Sequence, residues 1–329
     1  MQNLRPQPWL VLSALVTMAA CTATEIPAQK PVDVAAHPDP LSALASPDPV
    51  LAANKRLVFD MWRSVVDAGH VEAADQMLAE GYIQHSPVLP TGRSAFKQIF
   101  STVARRDIPE LVEPPLVASI AENNLVVMSL LERVPARDGV RAYTTTHFNL
   151  FRVENGRLEE HWHSVRTAPG PDVLPPEQGG PQPVTGMLGA AQGDLLKSAD
   201  PQLARNKRRV FDLWREIVES GHEEHAGRYI AAHFIEHNPN AASGLAGFEA
   251  YFSGRPNTPV QRWIQAPVVA IVAEGDLVAL VTMQEHPHPT RAGHNYTTTW
   301  FNMFRIVDGR IVEHWDAAIP ADPHTPSTW

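Results

Sequence analysis

The sequence predicts an α+β fold in which one domain occurs twice, each copy placing helices ahead of an antiparallel sheet. Three observations predict it. Shifted by 152 residues the chain matches itself, Asp48-Pro49 falling on Asp200-Pro201, Asn54-Lys55-Arg56 on Asn206-Lys207-Arg208, and Trp62 on Trp214. After one inserted residue the shift is 153, and Tyr143-Thr-Thr-Thr146 then meets Tyr296-Thr-Thr-Thr299, with Glu160-His161-Trp162 on Glu313-His314-Trp315. Within each copy a helical period gives way to β-rich runs, the order expected of helices packed on one sheet.

Each copy opens with Asp-Pro, an N-cap followed by a proline suited to the first helical turn. Val58, Phe59, Trp62 and Val66 then recur at helical spacing, as do Val210, Phe211, Trp214 and Val218. Gly69 and Gly221 close that helix. A second helix is expected over His70–Ala79 and His222–Ala231, then a brief strand (Tyr82–His85; Phe234–His237) and a third helix around Phe96 or Phe248. Copy one finishes with strands over Leu116–Ala121, Leu125–Val134, Tyr143–Val153 and Arg157–Val165.

The remaining segments have a different character. Arg5 followed by the apolar run Trp9–Ala20 reads as an export signal, too short to span a bilayer comfortably. It ends in Met18-Ala19-Ala20-Cys21, which resembles a lipobox with Met18 in place of the usual Leu. Cys21, the single cysteine, is the candidate lipidation site, and no disulfide is available to the mature chain. The expected organisation is a signal over 1–21, a disordered tether over 22–47, domain 1 over 48–166, a Pro/Gly-rich linker over 167–197, domain 2 over 198–319 and a tail over 320–329. The localisation expected is the bacterial cell envelope, facing the periplasm, with membrane contact through the lipid anchor alone. A formal net charge of −9 and the lack of a basic run argue against a nucleic-acid partner.

The last hairpin turns through Glu154-Asn155-Gly156 and Val307-Asp308-Gly309. A three-residue loop with a glycine bulge pairs Ile306 with Arg310, and sets Asn302 opposite His314 and Trp300 opposite Asp316. A two-residue Asp-Gly loop would instead set Asp316 opposite Phe301. Alternation places Asn302, His314, Asp316 and Trp300 on one face, and Glu313 and Trp315 on the other. His237 is expected to join the first group, with Tyr296 at its border. A carboxylate beside imidazoles in an aromatic-walled pocket suits general acid/base work, with burial raising the Asp pKa. The corresponding set in copy one is Asn149, His161, His147 and His163, with His85 and Tyr143 as further pocket residues. His147, His161 and His163 could alternatively hold Zn²⁺ or Cu²⁺. His286, His288 and His294 fall on or near a loop, and no phosphate-cradling loop or nucleophile elbow is present.

The stretches YIQHSP, FIEHNPN, FRVENGRLEEHW and FRIVDGRIVEHWD resemble the SnoaL-like polyketide cyclase family, within the nuclear transport factor 2-like superfamily. The resemblance covers nearly all of both copies. It implies cone-shaped α+β domains, each with three N-terminal helices on a curved sheet, and aldol-type ring closure without metal or organic cofactor. The implied ligand is a hydrophobic or carbonyl-containing small molecule. An aspartate near the end of the last strand acts as acid/base in such relatives, and Asp316 alone matches it; His163 stands there in copy one. With the polar grouping read from the hairpin, this makes Asp316, His314 and His237 the expected catalytic residues and Asn302, Trp300 and Tyr296 the expected substrate contacts, with His85, Asn149 and Tyr143 as expected substrate contacts in copy one. A non-catalytic binding protein is the rival reading. Because such relatives pair through their sheets, the two copies are expected to form an intrachain pseudo-dimer.

Overall fold

The computed structural model describes residues 30–137, 139–164 and 167–320. Cys21 and the expected export signal lie outside them. In domain 1, α1 (Pro49–Met61) is followed by a wider turn over Trp62–Val66, a 3₁₀ turn over Val71–Ala73, α2 (Ala74–Met77), β1 (Leu78–Gln84) and α3 (Arg93–Phe100). Four strands follow: β2 (Leu116–Glu122), β3 (Leu125–Val134), β4 (Tyr143–Glu154) and β5 (Arg157–His163). A short α4 (Gln192–Leu195) precedes domain 2, where α5 (Pro201–Leu213), β6 (Ile230–Glu236), α6 (Leu245–Phe252), β7 (Val268–Glu274), β8 (Leu277–Pro287), β9 (Asn295–Val307) and β10 (Arg310–Asp316) repeat the pattern. Asp48 and Asp200 cap α1 and α5, their carboxylates accepting from the Val50 and Gln202 amides at 2.8 and 2.6 Å. The expected second helix shrinks to short turns, a 3₁₀ segment over Glu223–Arg228 taking its place in domain 2.

Each domain has a five-stranded sheet, in the orders β1-β5-β4-β3-β2 and β6-β10-β9-β8-β7. The sheets are mixed rather than wholly antiparallel. A helix and three strands intervene before β5, so β1 meets its outer edge in the parallel sense, as β6 meets β10.

The final hairpins differ from the preferred register. Asn155 and Gly156 have φ of 50° and 69°, and Asp308 and Gly309 49° and 69°. Two consecutive left-handed residues make a two-residue hairpin turn of the primed type. Arg310 therefore pairs with Val307, and a bulge between Ile311 and Glu313 sets His314 opposite Phe304 and Asp316 opposite Asn302. The turn is the two-residue alternative, but the bulge beyond it carries the strands to a register two residues from the three-residue one, so Asp316 does not face Phe301. The difference is two residues, however, so the faces survive: Asn302, His314 and Asp316 still look one way and Trp315 the other.

The helix-facing sides of the sheets enclose separate cores. Phe211, Phe234, Phe248, Phe304 and Ile306 lie in that of domain 2, and Phe59, Tyr82, Phe96, Phe151 and Val153 in that of domain 1. Their opposite faces pack on each other. Phe148, Leu150 and Trp162 meet Phe301, Met303 and Trp315 in one buried cluster, and Phe148 stacks on Phe301 at 5.5 Å. Polar contacts repeat the relationship: Lys55 reaches Glu274 at 2.8 Å and Lys207 reaches Glu122 at 2.6 Å. Each glutamate also accepts an amide of the opposite domain, from Ala121 and Ala273 respectively. Among the described residues the two sheets thus pack face to face.

The tether and linker are packed where described. The Val32 amide donates to Glu236 O of domain 2, after which Val34 and His37 donate to Thr144 and Leu116 of domain 1. Gln182 likewise donates to Gln84 O of domain 1, after which Val184 and Met187 donate to Thr297 and Val268 of domain 2. Each domain is thus entered by a strap that first crosses the edge of the other. Val34 and Val184 are buried in the joint core, where ordering the chain is offset by apolar burial.

Candidate functional site

The site in each domain is built on the helix-facing side of the sheet, where the first strand meets the last hairpin. In domain 1, His161 stacks on Phe151 at 4.5 Å, its Nδ1 facing Gln84 and its Nε2 facing Asn149 Oδ1 at 3.0 Å. The Gln84 Oε1 is held by the Ser86 amide at 2.9 Å, so its Nε2 donates to His161 Nδ1 at 3.0 Å. His161 Nε2–H then donates to Asn149. The ring is neutral, burial driving its pKa well below the usual imidazole range and His163 and His147 adding to the effect. Burial, with help from His147, takes His163 down to about 3.

Domain 2 repeats the geometry with one decisive change: Glu236 stands where domain 1 has Gln84. A carboxylate only accepts, so His314 Nδ1 must carry a proton to reach Glu236 Oε1 at 2.8 Å. Burial disfavours the His314 charge, but the Glu236 carboxylate outweighs it and Asp316 assists, so the pKa is raised. His314 Nε2 meets Asn302 Oδ1 at 3.0 Å, as in domain 1. Asp316 is 3% exposed, its oxygens held by Asn238 Nδ2 at 2.7 Å and the Ala318 amide at 3.1 Å. Burial pushes its pKa up to about 6, Glu236 adding to the rise while His314 opposes it. Tyr251, from α6, also hydrogen bonds with Asn238, and burial and then Asp316 raise its pKa.

Several expected site residues lie elsewhere. His237 and His85 project from the other side of the sheet, away from His314 and His161. His237 stacks on Trp315 at 5.2 Å and bridges Val32 O (2.8 Å) to Glu313 (2.9 Å). His85 stacks on Trp162 and bridges the Gln182 and Pro183 carbonyls to Glu160. Both are strap anchors, because alternation along β1 and β6 turns Gln84 and Glu236 inward and the following histidine outward. Tyr296 lies by His286 and lines a separate groove with His85 and linker prolines, rather than bordering Asp316. Tyr143 pairs with Val134 at the far end of β4, outside the residues lining the domain 1 cavity. Trp300 is partly buried against the domain 2 core.

Domain 1 holds a cavity of about 190 Å³, walled by Met61, Trp62, Tyr82, Phe96, Ile99 and Phe100 and floored by Gln84, His147, Asn149, His161 and His163. Asn149 Nδ2 and His163 Nε2 are buried there without a hydrogen-bond partner. The three histidines come together, with His163 centred 5.5 Å from His147 and 5.3 Å from His161. As ligands they are poorly disposed, since both ring nitrogens of His161 are already engaged. In domain 2, Trp300 and Tyr251 stand where domain 1 has His147 and Ile99.

Gln84, Glu236, Asn238 and Tyr251 were not evident as site residues from the sequence. The available signal was the acid in Phe234-Ile-Glu236, two places from an apolar residue on a strand with one buried face.

Residues 208–314 include Glu236, Asn302 and His314 of this arrangement. They match the SnoaL-like domain. No curated protein matches the chain. Among solved structures, a candidate polyketide cyclase from Acidithiobacillus ferrooxidans is 19% identical over 36% of this chain and 89% of its own, with a TM-score of 0.27. A candidate SnoaL-like polyketide cyclase from Jannaschia sp. is 16% identical over 36% and 89%, with a TM-score of 0.26. An epoxide hydrolase of the LEH-like kind from M. tuberculosis is 14% identical over 35% and 84%, with a TM-score of 0.27. The SnoaL-like match ends at His314, two residues short of Asp316.

Proposed function

We propose that the SnoaL-like domain 2 performs acid/base chemistry on a small, hydrophobic, carbonyl-containing molecule, with Asp316 as the proton carrier. The observation that carries this reading is the buried cluster of Asp316, His314 and Glu236 on one face of the sheet, in which burial raises the Asp316 pKa to about 6. A carboxyl poised there is substantially ionised near neutrality, yet basic enough to take a proton from carbon and return it. Asp316 removes a proton from the carbon beside a carbonyl, leaving an enolate. In an aldol closure that carbon adds to a second carbonyl and the Asp316 acid protonates the new alkoxide; in an isomerisation the proton returns to another carbon. His314, held protonated by Glu236, supplies a positive charge beside this chemistry, and Asn302 orients it. The test is deuterium incorporation into a panel of small ketones in heavy water. Asp316→Asn is expected to lose about 100-fold or more in exchange rate. Equal rates in the variant and the parent protein would sink the reading.

Domain 1 supports a second reading, binding without turnover. It has no carboxyl at the Asp316 position, and its cavity is comparable to the roughly 150 Å³ space that holds benzene in an engineered core. Asn149 Nδ2, oriented by the Gln84–His161 relay, offers a donor to a carbonyl oxygen. Asn149→Leu should weaken retention of a small ketone in native mass spectrometry while leaving domain 2 exchange intact; unchanged retention would remove this role.

Export and lipid anchoring through Cys21 belong to the same proposal and rest on the N-terminal pattern. Cys21→Ser should move the protein from the detergent phase to the aqueous phase on extraction, and an unchanged partition would refute the anchor.

A further inference from the structure

We propose that His222, Glu224 and His225 form a binding site for one divalent cation of the zinc class, on domain 2 and apart from the acid/base site. His222 caps the 3₁₀ turn Glu223–Arg228, and the His225 amide donates to His222 O at 3.0 Å. In such a turn, side chains three apart eclipse. The imidazoles accordingly stack, with centroids 5.2 Å apart and planes at 12°. One ligand atom from each imidazole and one Glu224 oxygen all lie within 4.8 Å of one another, the cluster of this kind among the described residues.

The hydrogen bonds behind the imidazoles give the cluster its meaning. His222 Nε2–H donates to the Thr258 carbonyl at 2.9 Å and Nδ1–H donates to the Glu224 carboxylate, so an arriving cation would take the place of the Nδ1 proton. His222 Nδ1 lies 2.8 Å from Glu224 Oε1. His225 Nδ1 faces the Glu216 carboxylate at 3.2 Å, which likewise places hydrogen on Nδ1 and leaves Nε2 as the donor atom. That Nε2 lies 3.9 Å from the same Glu224 Oε1. With the Nδ1 proton displaced, His222 Nδ1, His225 Nε2 and a Glu224 oxygen stand together as three ligand atoms for one ion. A carbonyl or carboxylate behind each ligating histidine is the usual support of a metal site. Two imidazoles and one carboxylate suit Zn²⁺, with its fourth position open to water. His222 and His225 are each about one-fifth exposed and Glu224 about half, so an ion can enter from solvent.

Domain 1 provides an internal comparison. His70 keeps the backbone bond, its Nε2 lying 2.7 Å from Arg106 O. The second histidine is replaced by Ala73 and the supporting carboxylate by Ser64, while Glu72 pairs with Arg105 at 2.7 Å. The convergent set therefore belongs to domain 2.

The test is calorimetric titration of chelator-stripped full-length protein with Zn²⁺ near neutral pH. One ion per chain is expected in the parent protein, with at least a tenfold loss of affinity in His225→Ala. Glu216→Gln should weaken binding by about tenfold or more, through loss of the group orienting His225. Circular dichroism of the metal-free variants checks that each is folded. The proposal is overturned if no saturable binding at one ion per chain occurs, if His225→Ala and His222→Ala both retain it, or if His163→Ala abolishes it instead. The last result would transfer the ion to the domain 1 histidines.

Discussion

Gln84 and Glu236 differ by one atom exchange, an amide nitrogen for a carboxylate oxygen, and they set the charge of the neighbouring imidazole. His161 is neutral and His314 is held protonated, although both rings stack on a phenylalanine and face an asparagine oxygen. Beside them, burial gives one group in each pocket opposite pH behaviour. Asp316 has a folded pKa of about 6 against 3.8, so its stabilising protonated form is fully present below the unfolded value and lost as pH rises through 6. Asp316→Asn should therefore raise the melting temperature above pH 6, by up to about 3 kcal/mol in stability, with the difference shrinking towards pH 4. His163, down to about 3, works the other way: its contribution is full above 6.5 and lost as pH falls through 3. Melting curves from pH 4 to 8 check both signs. An Asp316→Asn protein less stable than its parent at pH 8 would contradict the assignment.

At the scale of elements, much of the architecture was legible. The Asp-Pro starts, the apolar period of α1 and α5 and the doubled hairpin all stand where periodicity and turn chemistry put them. The hairpin register was not, because Asn155-Gly156 and Asp308-Gly309 are compatible with more than one loop, and the compensating bulge near Val312 has no residue signature. Alternation still carried Asn302, His314 and Asp316 to one face. His85 and His237 were misplaced because they end their strands, and what holds them arrives from distant chain: the straps around Gln182 and Val32. As a strap anchor, His237 should matter for stability rather than turnover. His237→Ala is expected to cost about 1–2 kcal/mol in denaturant unfolding and to leave ketone exchange within about twofold of the parent. A large loss of exchange with unchanged stability would restore its catalytic assignment.

Across the whole molecule, the paired sheets and the two crossed lysine–glutamate bridges join the domains into one body. Lys55 is 2% exposed and Lys207 3%, so each depends on its glutamate for compensation. Removing one partner leaves an uncompensated buried charge, and Glu274→Ala should cost about 3 kcal/mol or more. The reading from calorimetry should be a lower, broader transition in which the domains begin to melt separately. A single sharp transition at the parent temperature would show that the bridge contributes nothing.

The two straps have a further implication for how such a molecule diversifies. In a pair of identical chains, any change at one pocket is made at both, so a substitution that suits catalysis on one side is imposed on the other. Covalent continuity through residues 167–197 lifts that constraint while preserving the reciprocal crossing. A glutamate can then enter one half and a glutamine the other, with a turn on one side acquiring a second histidine that its counterpart lacks. Symmetry is kept where the halves touch, and each pocket is left to specialise.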